Sequence, residues 1–149
     1  MNIHDCMKIN VFSVPATATV REAISLLVLK HIGLLPVVDG NHRPVGVVGL
    51  RDFLKFALPS SFSLQDDLDF LGDFGALEHY RPTDAILAKP VTDFMRPATT
   101  VHEDSGLLRA YSFMLLHDLH DMPVVDEHGQ LTGIASRVDI GVTILADWV

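Results

Sequence analysis

The stretch Leu35-Pro36-Val37-Val38-Asp39 returns as Met122-Pro123-Val124-Val125-Asp126, with every position displaced by 87 residues. A repeat limits the fold more than any local propensity does, because both copies must fold to one unit and the units must pack together. The displacement extends well beyond five residues. Laid on residues 98–139 without a gap, residues 11–52 pair Val14 with Val101, Ala23 with Ala110, Leu29 with Leu116, Gly46 with Gly133 and Asp52 with Asp139. Between the identities apolar character is kept, as in Leu26-Leu27-Val28 against Phe113-Met114-Leu115. The chain carries an internal duplication.

Each copy reads as strand, helix, strand, strand, helix, an α+β unit whose sheet is covered by its helices. In the first copy residues 11–14 form a short strand stopped by Pro15. Thr19-Val20-Arg21-Glu22 has the form of a capping box, in which hydroxyl and carboxylate each satisfy a backbone amide. Ala23, Leu26, Leu27 and Lys30 follow at helical spacing, and Gly33 is the stop signal. Residues 36–38 and 45–50 make a hairpin about Asp39-Gly40-Asn41, with a second helix from near Arg51. In the second copy the first strand is 99–101, and Asp104-Ser105 opens a helix running through His117. Its hairpin joins 123–125 to 131–135, and the terminal helix covers 137–148.

Residues 1–56 and 91–149 are thus assigned to the two units, and 57–90 to a segment between them that has no counterpart. That segment holds Asp66, Asp67, Asp69, Asp73, Glu78 and Asp84 against Arg81 and Lys89, half of the formal charge of −8. Ser63 is a candidate cap for a helix with Leu64, Leu68 and Leu71 on one face, and Pro82-Thr83-Asp84 starts another short helix. A solvated acidic linker and a partner-docking surface are both open readings of it.

Composition excludes several functions. With 48% hydrophobic residues and a mean hydropathy of +0.30, the chain has the material for a folded core. No apolar run approaches the ~20 residues of a membrane helix. The first ten residues have neither the basic nor the apolar part of an export signal, so a cytoplasmic location is expected. Cys6 is the only thiol and has no partner for a disulfide or a thiolate metal site. An acidic chain lacks the basic surface that displaces counterions from nucleic acid.

Taken together, and found twice, these residues resemble a tandem pair of cystathionine-β-synthase (CBS) domains, the arrangement called a Bateman module. Asp93-Phe94-Met95 is similar to the family's opening Asp-x-Met, and Asp5-Cys6-Met7 echoes it one residue further from its strand. Gly133-Ile134-Ala135-Ser136-Arg137-Val138-Asp139 is similar to the family's Gly-x-x-Ser/Thr-x-x-Asp motif for a ribose phosphate. The resemblance implies two domains packed sheet against sheet about a pseudo-two-fold axis, and association into a flat homodimer. It also implies clefts for an adenosine compound such as AMP, ADP, ATP or S-adenosylmethionine.

The residues give this a chemical basis. Ser136 and Asp139 fall where a strand ends and a helix begins, so free backbone amides and the positive end of the helix dipole favour a phosphate there. The Asp139 carboxylate has acceptor oxygens for both ribose hydroxyls, and Arg137 offers a charge-assisted contact to phosphate. The same spacing equally suits a helix cap. By the resemblance, Thr100, Val101, Met122 and Pro123 line an apolar slot for adenine, although they would serve a core as well. The first copy keeps Asp52 but has Gly49 in the hydroxyl position, so the second site is expected to be the better one.

His120 directly precedes Asp121-Met122-Pro123 and is a candidate contact for a bound phosphate. With His117 it also has ligand-type spacing, yet imidazoles are favoured at helix C-termini in any case, and no metal is expected. No nucleophile elbow, Walker loop or His-Glu-x-x-His is present, so no enzyme activity is expected. The reading is a regulatory nucleotide sensor that signals to an unidentified effector protein; the alternative is a ligand-free module for dimerisation and partner docking.

Overall fold

The computed structural model describes residues 1–57 and 81–149. In the first half, β1 (Val14–Pro15) leads through α1 (Val20–Lys30) to β2 (Leu34–Val38), with which it pairs in parallel; β2 then pairs antiparallel with β3 (Pro44–Gly49). A short α2 (Leu50–Leu54) follows. Beyond the middle of the chain, the short helix expected near Pro82-Thr83-Asp84 is α3 (Asp84–Leu87), capped by Thr83, whose hydroxyl accepts the Ile86 N–H at 3.3 Å. The second half repeats the order with β4 (Val101–His102), α4 (Leu107–Leu116), β5 (Asp121–Val125), β6 (Leu131–Ser136) and α5 (Arg137–Ala146). Two three-stranded sheets result, β1-β2-β3 and β4-β5-β6.

Local chemistry accounts for these elements. The Glu22 N–H donates to the Thr19 hydroxyl at 3.2 Å and the Thr19 N–H to the Glu22 carboxylate at 3.0 Å, so α1 starts on the capping box its sequence announces. Val20, Ala23 and Leu27 bury its inner face. The helix ends before Gly33, because His31 adopts the left-handed conformation at φ 55. At the two hairpin turns, Asp39 accepts the N–H groups of Arg43 and Asn41, and Asp126 those of Gln130 and His128. These bonds to the charged form hold both carboxyls below their ordinary range.

Several boundaries differ from the sequence reading by a residue or more, among them the terminal helix, which ends at Ala146, and three have a clear structural reason. The first strand is Val14–Pro15 and not residues 11–14; β1 is an edge strand, so the missing proline N–H is not needed, and Ala16 donates to Val38 instead. Its counterpart starts at Val101 and not at residue 99. Helix α4 follows Gly106 and is not opened by Asp104-Ser105: residues 103–105 turn, the Ser105 N–H donating to His102 and its carbonyl accepting the Ile3 N–H at 2.9 Å, and Gly106 bridges Asn2 before the helix begins. The helix expected after Ser63 lies outside the described residues.

The two cores exchange their opening segments. Ile3, fully buried, packs with Leu107, Met114, Met122, Val124 and Ile140 of the second half. Val91, also fully buried, packs with Val20, Leu27, Leu35, Val37 and Val48 of the first half. Backbone pairing follows the same crossing. His4 donates to Glu103, and Lys8 and Ile134 exchange a pair of hydrogen bonds; Val91 donates to Ala18, Val20 to Lys89, and Val47 and Arg96 exchange a second pair. The hairpin tips meet as well, the Leu131 N–H donating to the His42 carbonyl at 2.9 Å and the Gln130 amide to Asn41 at 3.0 Å. Chain order and packing therefore part company at both opening segments, and each half is completed by the other.

Candidate functional site

The exchange brings a cationic residue to the start of each half's last helix. Lys8 and Arg96 occupy corresponding places, one bridging β6 at Ile134 and the other bridging β3 at Val47. Beside each lies a cleft. Arg96, Arg51, Thr99, His120 and Pro123 are among the residues around a first cleft of about 280 Å3. Lys8, Asn10, Phe12, Asp121 and Ile134 are among those around a second of about 320 Å3. Gly33, Leu34 and Asp121 belong to both, so the clefts adjoin where the two halves meet.

Ser136 and Asp139 stand at the start of α5 and make a full capping box. The Asp139 N–H donates to the Ser136 hydroxyl at 2.9 Å, and the Ser136 N–H donates to the Asp139 carboxylate at 3.3 Å. The same carboxylate oxygen, Oδ2, is 3.8 Å from the Lys8 ammonium. Among the described residues the other oxygen, Oδ1, has no hydrogen-bond partner. Helix-capping and ligand-holding are thus compatible here, since the cap engages one oxygen and leaves one.

Asp52 is in a different condition. Arg96 grips it with two bonds, Nε to Oδ1 at 2.8 Å and Nη2 to Oδ2 at 3.1 Å, while the Gly49 N–H donates to Oδ2 at 2.8 Å. Its side chain is 4% exposed against 21% for Asp139. The missing hydroxyl at Gly49 also has a steric cause: a Cβ there would stand 2.4 Å from the Gly33 carbonyl oxygen.

His120 and Arg137 are brought together. Arg137 donates its backbone N–H to the His120 carbonyl at 2.9 Å, and its guanidinium lies 2.7 Å from the imidazole Nδ1 and 3.7 Å from the Asp118 carboxylate. His117 points elsewhere, its ring 4.3 Å from that of Phe113, so the two imidazoles do not converge. Among the described residues no cluster of three or more metal-ligating side chains occurs.

The four residues expected around adenine are divided. Thr100, Val101 and Met122 border a third cavity, of about 360 Å3, against Arg109, Phe113 and Leu116 of α4. Pro123 borders the first cleft. Successive residues of a strand face opposite sides, which separates Met122 from Pro123. Asp139 meets Lys8, and Lys8 lines the second cleft with Asn10, Val11, Phe12 and Asp121; Asp139 itself is not among the residues that line it. Lys8 and Asn10 precede the aligned block of the repeat, so the duplication gave no signal for them. Burial raises the Asp121 carboxyl above its ordinary range, with Asp139 adding to the shift and His120 and Lys8 opposing it.

Comparison with known proteins matches this architecture. The CBS domain model fits residues 3–59 and 91–140. The chloroplastic CBS domain-containing protein CBSX2 of Arabidopsis thaliana is 33% identical over 137 residues, which cover 88% of this chain and 57% of that protein. The chain thus spans a little over half the length of such relatives. The crystal structure of CBSX2 in complex with AMP superposes with a TM-score of 0.73 at 28% identity, over 99% of this chain and 98% of that one. Protein MJ1004 of Methanocaldococcus jannaschii gives a TM-score of 0.73 at 25% identity, over 98% of this chain and 60% of that one. With the family model matched in both halves and the paired sheets reproduced in solved relatives, the chain belongs to the CBS-domain family and carries a tandem CBS pair.

Proposed function

We propose that the chain is a regulatory module that binds an adenosine nucleotide in the second cleft and passes the binding event on as a change in the relation of its two halves. The observation that carries this reading is the unpaired Asp139 Oδ1, held at the N-terminus of α5 by the Ser136 box beside an open cleft. A carboxylate so placed accepts ribose hydroxyls, while the helix N-terminus and Arg137 at its first position serve a phosphate; His120, which lines the first cleft, is left out of this role. The AMP held by the relative CBSX2 supports AMP as the first candidate, ahead of ADP, ATP and S-adenosylmethionine.

A ligand shifts a conformational balance only by binding one arrangement better than another. Here the second cleft is walled by both halves: Lys8 to Phe12 and Ile32 to Leu34 precede the middle of the chain, and Asp121 and Ile134 follow it. A nucleotide in it therefore acts on the angle between the halves. We place the output in a homodimer or an effector protein. Leu108 and Leu116 on α4 and Val138 and Val142 on α5 are more than half exposed and offer an apolar face for such a contact.

Calorimetric titration with AMP, ADP, ATP and S-adenosylmethionine, repeated on Asp139→Ala, tests the reading. Binding of at least one of the four by the wild-type chain, lost in a folded Asp139→Ala variant, is the expected result. Binding that survives the substitution sinks it.

A further inference from the structure

The two clefts are built on the same plan, yet their carboxylates are not equally available. Asp52 is the buried acid of the described chain, and both of its oxygens are engaged, one by Arg96 alone and one by Arg96 and Gly49 together. A bidentate guanidinium pair is the strongest geometry available to a carboxylate in a protein. The corresponding cation of the second cleft, Lys8, stands 3.8 Å from Asp139 and is 67% exposed, a loose contact of the kind that contributes little. Arg96 lines the first cleft and Lys8 the second, and each is the contact between its cleft and the carboxylate.

From this contrast we infer that Arg96 is a specificity-determining residue that closes the first cleft to a ribose, so that each chain takes one nucleotide and takes it in the second cleft. The inference rests on the nucleotide reading above and adds the number of sites and the group that sets it. A ribose entering the first cleft would have to displace the guanidinium from an almost fully buried carboxylate, leaving two charges to find new partners. At the second cleft the carboxylate that Lys8 contacts keeps one oxygen without a hydrogen-bond partner among the described residues. The opening segments thereby give two sites of one plan different cations, an arginine in the first and a lysine in the second. Lysine offers a point charge on a flexible stem and cannot reproduce the planar two-point grip.

The test is the molar ratio of AMP bound per chain, measured calorimetrically on the wild-type protein, on Arg96→Ala and Arg96→Met, and on Asp139→Ala. The wild type is expected to bind one equivalent and the Arg96 variants two, the added site having gained roughly a hundredfold in affinity from the broken pair. Asp139→Ala, which leaves the Arg96 grip intact, is expected to bind none. Two equivalents in the wild type, one in a folded Arg96 variant, or one retained by Asp139→Ala would each overturn the inference. If both Arg96 variants fail to fold, the Asp139→Ala ratio decides alone. A wild type that binds none while Arg96→Ala binds one would refute the second cleft as the nucleotide site and still support the closure by Arg96. No binding by either protein overturns both readings.

Discussion

Ile3 donates its backbone N–H to the carbonyl of Ser105 across 2.9 Å and buries its side chain completely in the core of the second half. A residue at the very start of one repeat is thereby a structural member of the other. Ile3→Ala should cost ~2–5 kcal/mol, the range for truncating a buried aliphatic side chain. Urea denaturation measures the loss, and hydrogen exchange locates it: protection should fall in α4 and α5 before it falls in α1. A first loss in α1 would contradict the crossed packing.

Gly49→Ser looks from the sequence like the repair of a degenerate motif. The fold predicts the opposite, because the new Cβ would lie 2.4 Å from the Gly33 carbonyl oxygen, a backbone atom that already accepts the Leu50 N–H at 3.1 Å. The variant should lose ~1–3 kcal/mol, as overpacked sites do, with no gain in bound AMP. A thermal melt and an AMP titration on one preparation check both halves of the statement.

Ser136→Ala removes the acceptor for the Asp139 N–H at the start of α5. Loss of a helix cap of this kind costs ~1 kcal/mol, readable in a urea melt. If the hydroxyl also meets the phosphate, AMP affinity falls by about tenfold, the equivalent of one hydrogen bond. An unchanged affinity with the expected loss of stability would leave Ser136 as a cap only.

Asp121 gives the pH dependence a definite sign. Burial raises its carboxyl above the usual 3.8, so the folded state favours the protonated form. Its contribution to stability is full below that ordinary value and is lost as the pH rises through the higher folded one. Asp121→Asn should therefore melt above the wild type at neutral pH, with the advantage vanishing near pH 3.5. Paired melting curves across that interval provide the measurement. An advantage that grows in acid would mean that Lys8 and His120 outweigh the burial.

The repeat and its apolar periods made the order of elements legible, down to the Thr19 box and the short helix that starts near Thr83. They did so because these features are local: a hydroxyl three residues ahead of a carboxylate, or apolar residues at helical spacing such as Ala23, Leu26 and Leu27. The partners of the candidate site are not local. Arg96 meets Asp52 across 44 residues, and Lys8 reaches Asp139 from the opposite end of the chain. Nothing in either pair of residues names the other. Thr100, Val101 and Met122 illustrate the converse, since the family resemblance that named them did not place them at the second cleft. At Gly49 the sequence displayed the missing hydroxyl, and only the approach of Gly33 supplies the reason for it.

The crossed opening segments also bear on how such a chain could have arisen. One repeat alone, folded from its own residues, would leave open the place that Ile3 or Val91 now fills, and would present a ready segment of the matching shape. Two copies could close that gap only by trading segments. A gene holding a single repeat would on this geometry have specified an intertwined pair, and duplication in one reading frame converted a partnership between molecules into a property of one chain. It also freed the two trading segments to diverge, so that a lysine in one could come to stand where the other has an arginine.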